Sequence, residues 1–161
     1  MPIKADGTVD SSEKPQRSAT KFIHVTRHQI ANTYATEKFV RDAMGANIDF
    51  EILLKNYIAL HKYMKMDEKA LESPVMWVHV EDFTSDPTKV LTQVFKFLNV
   101  SANGAVIQSV LNNMPDVKTG INDKYFKIWC KEGVLKHGYL IEKYAEELKQ
   151  LELGYDLDIC R

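Results

Sequence analysis

Two short β-favouring runs most strongly constrain what this chain can fold into. The runs are FIHVT at 22–26 and VMWVHV at 75–80, and a long helical pattern separates them. Parallel strands need a long crossover of this kind, whereas antiparallel neighbours can be joined by a tight hairpin. The sequence therefore predicts a helix-rich α/β fold with a partial parallel sheet and flanking helices. Phe22, Ile23 and Val25 are expected to be buried in the first strand.

Helical patterns fill most of the remaining chain. Gly45 is expected to close the helix that follows the first strand, and Asn47 or Asp49 can cap the next one. Asp86-Pro87 is a strong helix start, because Asp can cap free amides and Pro at the first helical position has no amide to satisfy. The predicted helices cover 28–44, 50 to beyond 64, 86–98, 105–113, 123–130 and a last one ending near Gly154.

Two strands are too few for a sheet of this class. Residues 1–20 have no apolar periodicity and are expected to form a flexible tail, which leaves 21–161 as one domain. Further strands would have to come from weak segments, from a partner, or from sequence not included here. An uncovered sheet edge favours pairing with a protein partner or a second copy of the chain.

Charge and hydropathy exclude several classes of partner. Lys plus Arg number 21 against 22 Asp plus Glu, which is not the basic balance of a nucleic-acid binder or of a protein that binds anionic membranes. No uninterrupted apolar run approaches about 20 residues, so no membrane span is expected. The chain as given is expected to be soluble, and cytoplasmic rather than secreted.

The cysteines and histidines show no metal-binding pattern. Cys130 and Cys160 are far apart without a CxxC spacing, which predicts free thiols in a reducing compartment. The five histidines form no HExxH pattern and no close pair with a cysteine. The sequence therefore predicts no metal site.

Several motifs occur in an order that is typical of one enzyme family. The runs KFIHVTRHQIANTYATEKF and WVHVEDFTSDPTKVLTQVFKFLNV resemble the second half of a sulfotransferase domain. The tail, DVKTGINDKYFKIW and then LGYDLD, is similar to the close of tyrosylprotein sulfotransferases. The matching positions are Arg27, Glu81-Asp82-Phe83, Asp86-Pro87, Phe97-Leu98, Lys118, Asn122, Trp129 and 153–156.

The resemblance implies a P-loop-like half domain and a co-substrate, 3'-phosphoadenosine 5'-phosphosulfate. It implies that Arg27 binds the 3'-phosphate and that Lys118 reaches the nucleotide. The sequence departs from the family pattern in two places. No Gly- and Ser/Thr-rich turn between a strand and a helix precedes Arg27, and Ala35 stands where the family has a Ser eight residues after the Arg. Thr33 or Thr36 could substitute for that Ser, although neither points from the same place on a helix.

Plainer interpretations of the same residues stay open at this point. Arg27 could pair with Glu37 or Asp82 on the surface, and Lys118 could be a solvated loop residue. The Glu81-Asp82 pair could do acid–base chemistry, but the favoured interpretation places one carboxylate on the turn and the other at the surface. No catalytic residue is assigned.

Two hypotheses for function follow. In the first, the chain is related to enzymes that transfer a sulfuryl group to a hydroxyl acceptor, and it is incomplete or inactive alone. In the second, it is a non-catalytic pseudoenzyme or assembly subunit that acts as a protein-binding scaffold.

Overall fold

The computed structural model describes residues 20–71, 73–114 and 120–160. The predicted tail, except for Thr20, and Lys118 lie outside these residues. The elements, in chain order, are β1 (Phe22–Thr26), α1 (Gln29–Met44), α2 (Phe50–Ala70), β2 (Val75–His79), α3 (Val80–Ser85), α4 (Pro87–Leu98), α5 (Gly104–Asn112), α6 (Asp123–Ile128), a π-helical turn (Trp129–Gly133), α7 (Val134–Lys143) and α8 (Ala145–Gln150).

The two predicted strands form a parallel pair, which confirms the α/β class. Within the described residues β1 and β2 make a two-stranded sheet, with Phe22 opposite Val75 and Thr26 opposite His79. The expectation that β1 is buried is wrong for one face: Ile23 is 36% exposed and Val25 is 60% exposed. Side chains alternate between the faces of a strand, so these two residues lie on the same face of β1.

Local sequence places most helix ends where they were expected. Gly45 ends α1 in the left-handed region, at φ 63°, which glycine adopts without steric cost. The Asp49 carboxylate accepts a hydrogen bond from the Glu51 amide at the start of α2. The Asp86 carboxylate caps α4 through the Lys89 amide, and Pro87 is the first residue of that helix.

The core lies between α2 and the C-terminal helices. On α2 the predicted apolar face is buried, with Leu54 fully inaccessible. It packs in one cluster with Leu140 and Leu151, which are each 2% exposed. Full burial of such a side chain contributes roughly 1.5–3 kcal/mol. The other buried members of the cluster are Ile30, Phe50, Tyr57, Ile58, Trp129, Ile141, Tyr144, Leu148 and Leu153.

The C-terminal part of the chain contains more elements than were expected. A π-helical turn, in which Gly133 is buried, joins α6 to α7, and Tyr144 separates α7 from α8. A Cβ at Gly133 would approach the Tyr34 hydroxyl oxygen to 2.4 Å and Cε3 of Trp129 to 2.6 Å. A side chain at this position would therefore force one of the two rings to move, and the contact with Tyr34 is long-range, so the local pattern does not reveal it.

The two cysteines are bonded to each other, so the expectation of free thiols is wrong. The Cys130 and Cys160 Cα atoms lie 5.4 Å apart, and the bond joins the π-helical turn to the end of the described chain. Disulfides persist in oxidising compartments, so the pairing removes the argument for a reducing one. Among the described residues, no helix combines the length and the apolar character needed to cross a membrane.

Candidate functional site

The carboxyl ends of the two parallel strands bring the resemblance-bearing residues together. Arg27 and His28 follow β1, and Glu81 lies in the first turn of α3, directly after β2. Because parallel strands end at the same edge of a sheet, these residues are neighbours, and ligands of open α/β sheets bind at this edge. Asn122 and Tyr155 reach the same place from the C-terminal part of the chain.

Glu81 is the centre of a hydrogen-bonded group that we call the strand-end network: Arg27, His28, Glu81, Asn122 and Tyr155. One Glu81 oxygen, Oε1, accepts from the His28 amide at 2.9 Å and from Asn122 Nδ2. The other, Oε2, accepts from the Tyr155 hydroxyl at 3.1 Å. Arg27 Nε donates to Asn122 Oδ1 at 2.6 Å. One carboxylate therefore links both strand ends, the start of α6 and the C-terminal segment.

The arrangement around His28 identifies its neutral tautomer. Nε2 donates to the Asp156 carbonyl at 2.8 Å, while Nδ1 accepts from the Ile30 amide at 3.2 Å and so caps α1. Both ring nitrogens therefore make hydrogen bonds, and His28 is only 5% exposed. Burial lowers the pKa of His28 below its ordinary value. His28 is therefore a structural residue that ties the start of α1 to the C-terminal segment.

A second group of buried polar side chains surrounds Thr26, the last residue of β1. His61 Nδ1 donates to the Tyr57 carbonyl at 2.8 Å, which leaves Nε2 to accept from the Thr26 hydroxyl at 2.8 Å. The Tyr57 hydroxyl donates to the Arg27 carbonyl at 2.8 Å. Burial lowers the pKa of His61 and raises that of Tyr57 to about 12. These groups are neutral at physiological pH and hold α2 against the end of β1.

A cavity of about 400 Å³, which we call the strand-end cavity, opens beside these groups. Arg27 is the one residue in its wall with a permanent charge, and Asn32, Thr36 and Asn56 add polar side chains. Arg27 Nη2 is buried, and no described residue accepts a hydrogen bond from it. The rest of the wall consists of Val25, Thr26, Leu53, Tyr57, Leu60, His61 and Val80. A cavity with one cation and several hydrogen-bonding side chains favours an anionic ligand.

Ala35, eight residues after Arg27, does not line the strand-end cavity. Ala35 borders a different groove, together with Lys38, Phe39, Asp42 and Ala43, whereas Thr36 lines the strand-end cavity. Successive helical residues point about 100° apart, so a shift of one position changes the face on which a side chain lies. The chain thus has a hydroxyl on the cavity side despite the Ala35 departure.

The plainer interpretations can now be compared with the geometry. Within the described residues Arg27 pairs with neither Glu37 nor Asp82; its guanidinium lies 5.2 Å from the centre of the Tyr125 ring. The Asp82 side chain is 74% exposed and its carboxylate lies 4.0 Å from His79 Nδ1, whereas the Glu81 carboxylate joins four segments of the chain. The described residues contain no cluster of three or more His, Cys, Asp or Glu suited to a metal.

Sequence reasoning missed several residues of the site. Asn32 and Asn56 lie on α1 and α2 with no local signal, and only the packing of these helices brings both into one wall. Asn122 and Tyr155 were recognisable only as matching positions of the resemblance. Asn122 lies 41 residues and Tyr155 lies 74 residues after Glu81 in the chain, and separations of this length do not indicate which residues will contact each other.

The two buried histidines predict a pH dependence of stability. Their folded-state pKa values lie below the ordinary value of 6.5, so at a pH about one unit above 6.5 both imidazoles are neutral in the folded and the unfolded chain and the stability is complete. As the pH falls below it, the unfolded chain binds protons that the folded chain cannot. We expect the free energy of unfolding from urea titrations to decrease between about pH 7.5 and 5.5. His61→Gln should make the slope shallower; a flat or rising wild-type curve would contradict this.

Comparisons of the chain with protein-family models, with curated proteins and with solved structures found no match.

Proposed function

We propose that this chain is a sulfotransferase-like domain that binds the 3'-phosphate part of 3'-phosphoadenosine 5'-phosphosulfate in the strand-end cavity. The observation that carries the proposal is Arg27, which lies at the end of a parallel strand beside a cavity without any fixed negative charge in its wall. Its Nη2 has no partner among the described residues. A guanidinium that keeps an unused donor is suited to a phosphate oxygen.

The expected affinity is low. A hydrogen bond to a charged group contributes roughly 1.5–3 kcal/mol, whereas micromolar binding needs about 8 kcal/mol. Arg27 together with Thr36 and the two asparagines supports a dissociation constant in the millimolar range. Lys118, proposed as a further contact, lies outside the described residues.

Sulfuryl transfer by this polypeptide alone is not part of the proposal. Transfer needs preorganised donors around the 5'-phosphosulfate, and the sequence has no Gly- and Ser/Thr-rich turn after a strand before Arg27. Glu81, the carboxylate of the strand-end network, accepts three hydrogen bonds and is not among the residues that line the strand-end cavity. The proposed role is therefore nucleotide binding.

Titration with adenosine 3',5'-bisphosphate, followed by NMR at low salt, tests this function. Arg27→Gln should weaken binding at least about tenfold, since loss of one charge-assisted contact exceeds about 1.4 kcal/mol. Arg41→Gln, the same charge change at an exposed site on α1, should leave binding unchanged. Thr36→Val should weaken binding severalfold, whereas Ala35→Ser should have no effect, because only position 36 lines the cavity.

A second candidate function is favoured by the exposed face of β1. Ile23 and Val25 are apolar and exposed on a two-stranded sheet, the kind of surface that a protein partner or a second copy would cover. This is the scaffold alternative. If saturating nucleotide perturbs neither Arg27 nor Thr36 in the wild-type protein, nucleotide binding is refuted and the scaffold function is preferred.

A further inference from the structure

The loop between α4 and α5 contains the tripeptide Asn99-Val100-Ser101. Asn-X-Ser/Thr, in which X is not proline, is the sequon, the acceptor pattern for N-linked glycans. Asn99 is the only one of the eight asparagines in the sequence that has a Ser or Thr two residues later. Because so short a pattern also occurs by chance, the case depends on what surrounds Asn99 in the fold.

The loop presents the sequon to solvent. Asn99, Val100 and Ser101 are all exposed. Asn99 ends α4 in the left-handed region, at φ 58°, and its backbone amide donates to the Lys96 carbonyl at 3.1 Å. The Asn99 side-chain amide and the Ser101 hydroxyl make no hydrogen bond with another described residue. The helix end therefore uses only the backbone of Asn99 and leaves its Nδ2 available.

The helix end explains the asparagine but not the whole sequon. Asn adopts the left-handed region more readily than most residues, so a role in ending α4 accounts for the residue type at position 99. It does not require a hydroxyl two residues later. Ser101 is exposed and caps no described helix, because Asn103 caps α5 through the Val106 amide at 3.0 Å.

The disulfide is a second observation, independent of the loop, and it points to the same compartment. Disulfides form in the lumen of the endoplasmic reticulum and are rare in the cytosol. N-linked glycans are attached to proteins that enter the secretory pathway. A chain in which Cys130 is bonded to Cys160 therefore matures where the glycan donor is present.

A glycan on Asn99 would leave the strand-end cavity open. The twelve residues of α4 extend roughly 18 Å from Pro87, which lies just after α3. Lys21, directly before β1, donates a hydrogen bond to the Phe97 carbonyl, so the end of α4 lies beside the start of β1. The cavity lies at the other end of this strand, at Arg27.

We propose that Asn99 carries an N-linked glycan transferred from a lipid-linked oligosaccharide pyrophosphate. Asn99 Nδ2 forms a bond to the anomeric carbon of the first sugar, and the bond from that carbon to the pyrophosphate oxygen breaks. The lipid pyrophosphate leaves, and the amide nitrogen loses one proton. The Ser101 hydroxyl is the second element of the pattern that the transferase recognises. The glycan would also shield Leu98 and Val100, apolar residues that are 38% and 49% exposed.

Mass spectrometry of the full-length chain, produced in a eukaryotic secretory pathway behind a cleavable leader, tests the proposal. The leader-free wild-type protein is expected to gain the mass of one glycan, which a peptide N-glycosidase should remove. The same digestion in heavy-oxygen water should convert Asn99, and no other asparagine, to labelled aspartate. Leader-free, disulfide-bonded protein without a glycan would overturn the proposal.

Three variants identify the modified position. Asn99→Gln and Ser101→Ala should each abolish the gain in mass, and Ser101→Ala keeps the residue that ends α4. Ala102→Ser, which adds a hydroxyl one position beyond the sequon, is the matched control and should keep the glycan. A glycan that persists in Asn99→Gln or in Ser101→Ala would refute the assignment. None of these measurements involves nucleotide, so this proposal and the proposed function can fail separately.

Discussion

Reduction of the Cys130–Cys160 disulfide is expected to lower the free energy of unfolding by about 3–4 kcal/mol. The two cysteines are separated by 30 residues, and opening a loop of this size restores conformational entropy to the unfolded chain. Both cysteines are exposed, so a dithiol reductant can reach the bond. Urea unfolding with and without dithiothreitol measures the difference.

A variant without the bond provides the control for this experiment. Cys130→Ser combined with Cys160→Ser should show the lower stability in both buffers, because no disulfide is left to reduce. The C-terminal segment should also exchange its amide hydrogens faster in the variant, since Tyr155 and Leu157 lose their tether. A wild-type midpoint that does not respond to the reductant would contradict the prediction.

Glu81→Ala is expected to destabilise the chain by about 2–4 kcal/mol. The substitution leaves three donors without their acceptor: the His28 amide, the Asn122 side chain and the Tyr155 hydroxyl. Asn122 is only 3% exposed, so water cannot simply replace the lost carboxylate. Chemical denaturation of the oxidised protein gives the change in the free energy of unfolding.

The neighbouring carboxylate is a matched control for Glu81. Asp82→Ala removes the same charge from an exposed side chain of the same helix and should change stability by less than about 0.5 kcal/mol. Tyr155→Phe removes one of the three bonds and should have an intermediate effect. Equal losses for Glu81→Ala and Asp82→Ala would show that the strand-end network contributes no stability.

Sequence alone was sufficient for features whose causes lie within a few residues. The bounds of β1 follow from a β-favouring run, and Gly45, Asp49 and Asp86-Pro87 mark helix ends through local backbone conformation and capping. The apolar stripe of α2 likewise predicted the face that is buried in the core. The parallel pairing of the strands followed from the length of the helical stretch between them.

The candidate site could be predicted only in part. The motifs predicted that Arg27 lies at a strand end and that one carboxylate after β2 has a structural role. The eight-residue spacing nevertheless pointed to Ala35, whereas helix packing puts Thr36 in the cavity wall. No sequence feature predicted that Asn32 and Asn56 belong to the site, because the sequence of α1 or of α2 alone does not indicate which residues of the other helix it contacts.

What the sequence by itself determined about this protein is therefore most of its local elements, their order and the residue types at the strand ends. Tertiary structure alone decided that Cys130 bonds to Cys160, that Tyr155 reaches Glu81, and that Val25 stays exposed. The physical reason is that helix caps and strand propensities act between near neighbours. Disulfides, buried networks and cavities depend on contacts between residues far apart in the chain, which only the packed fold brings together.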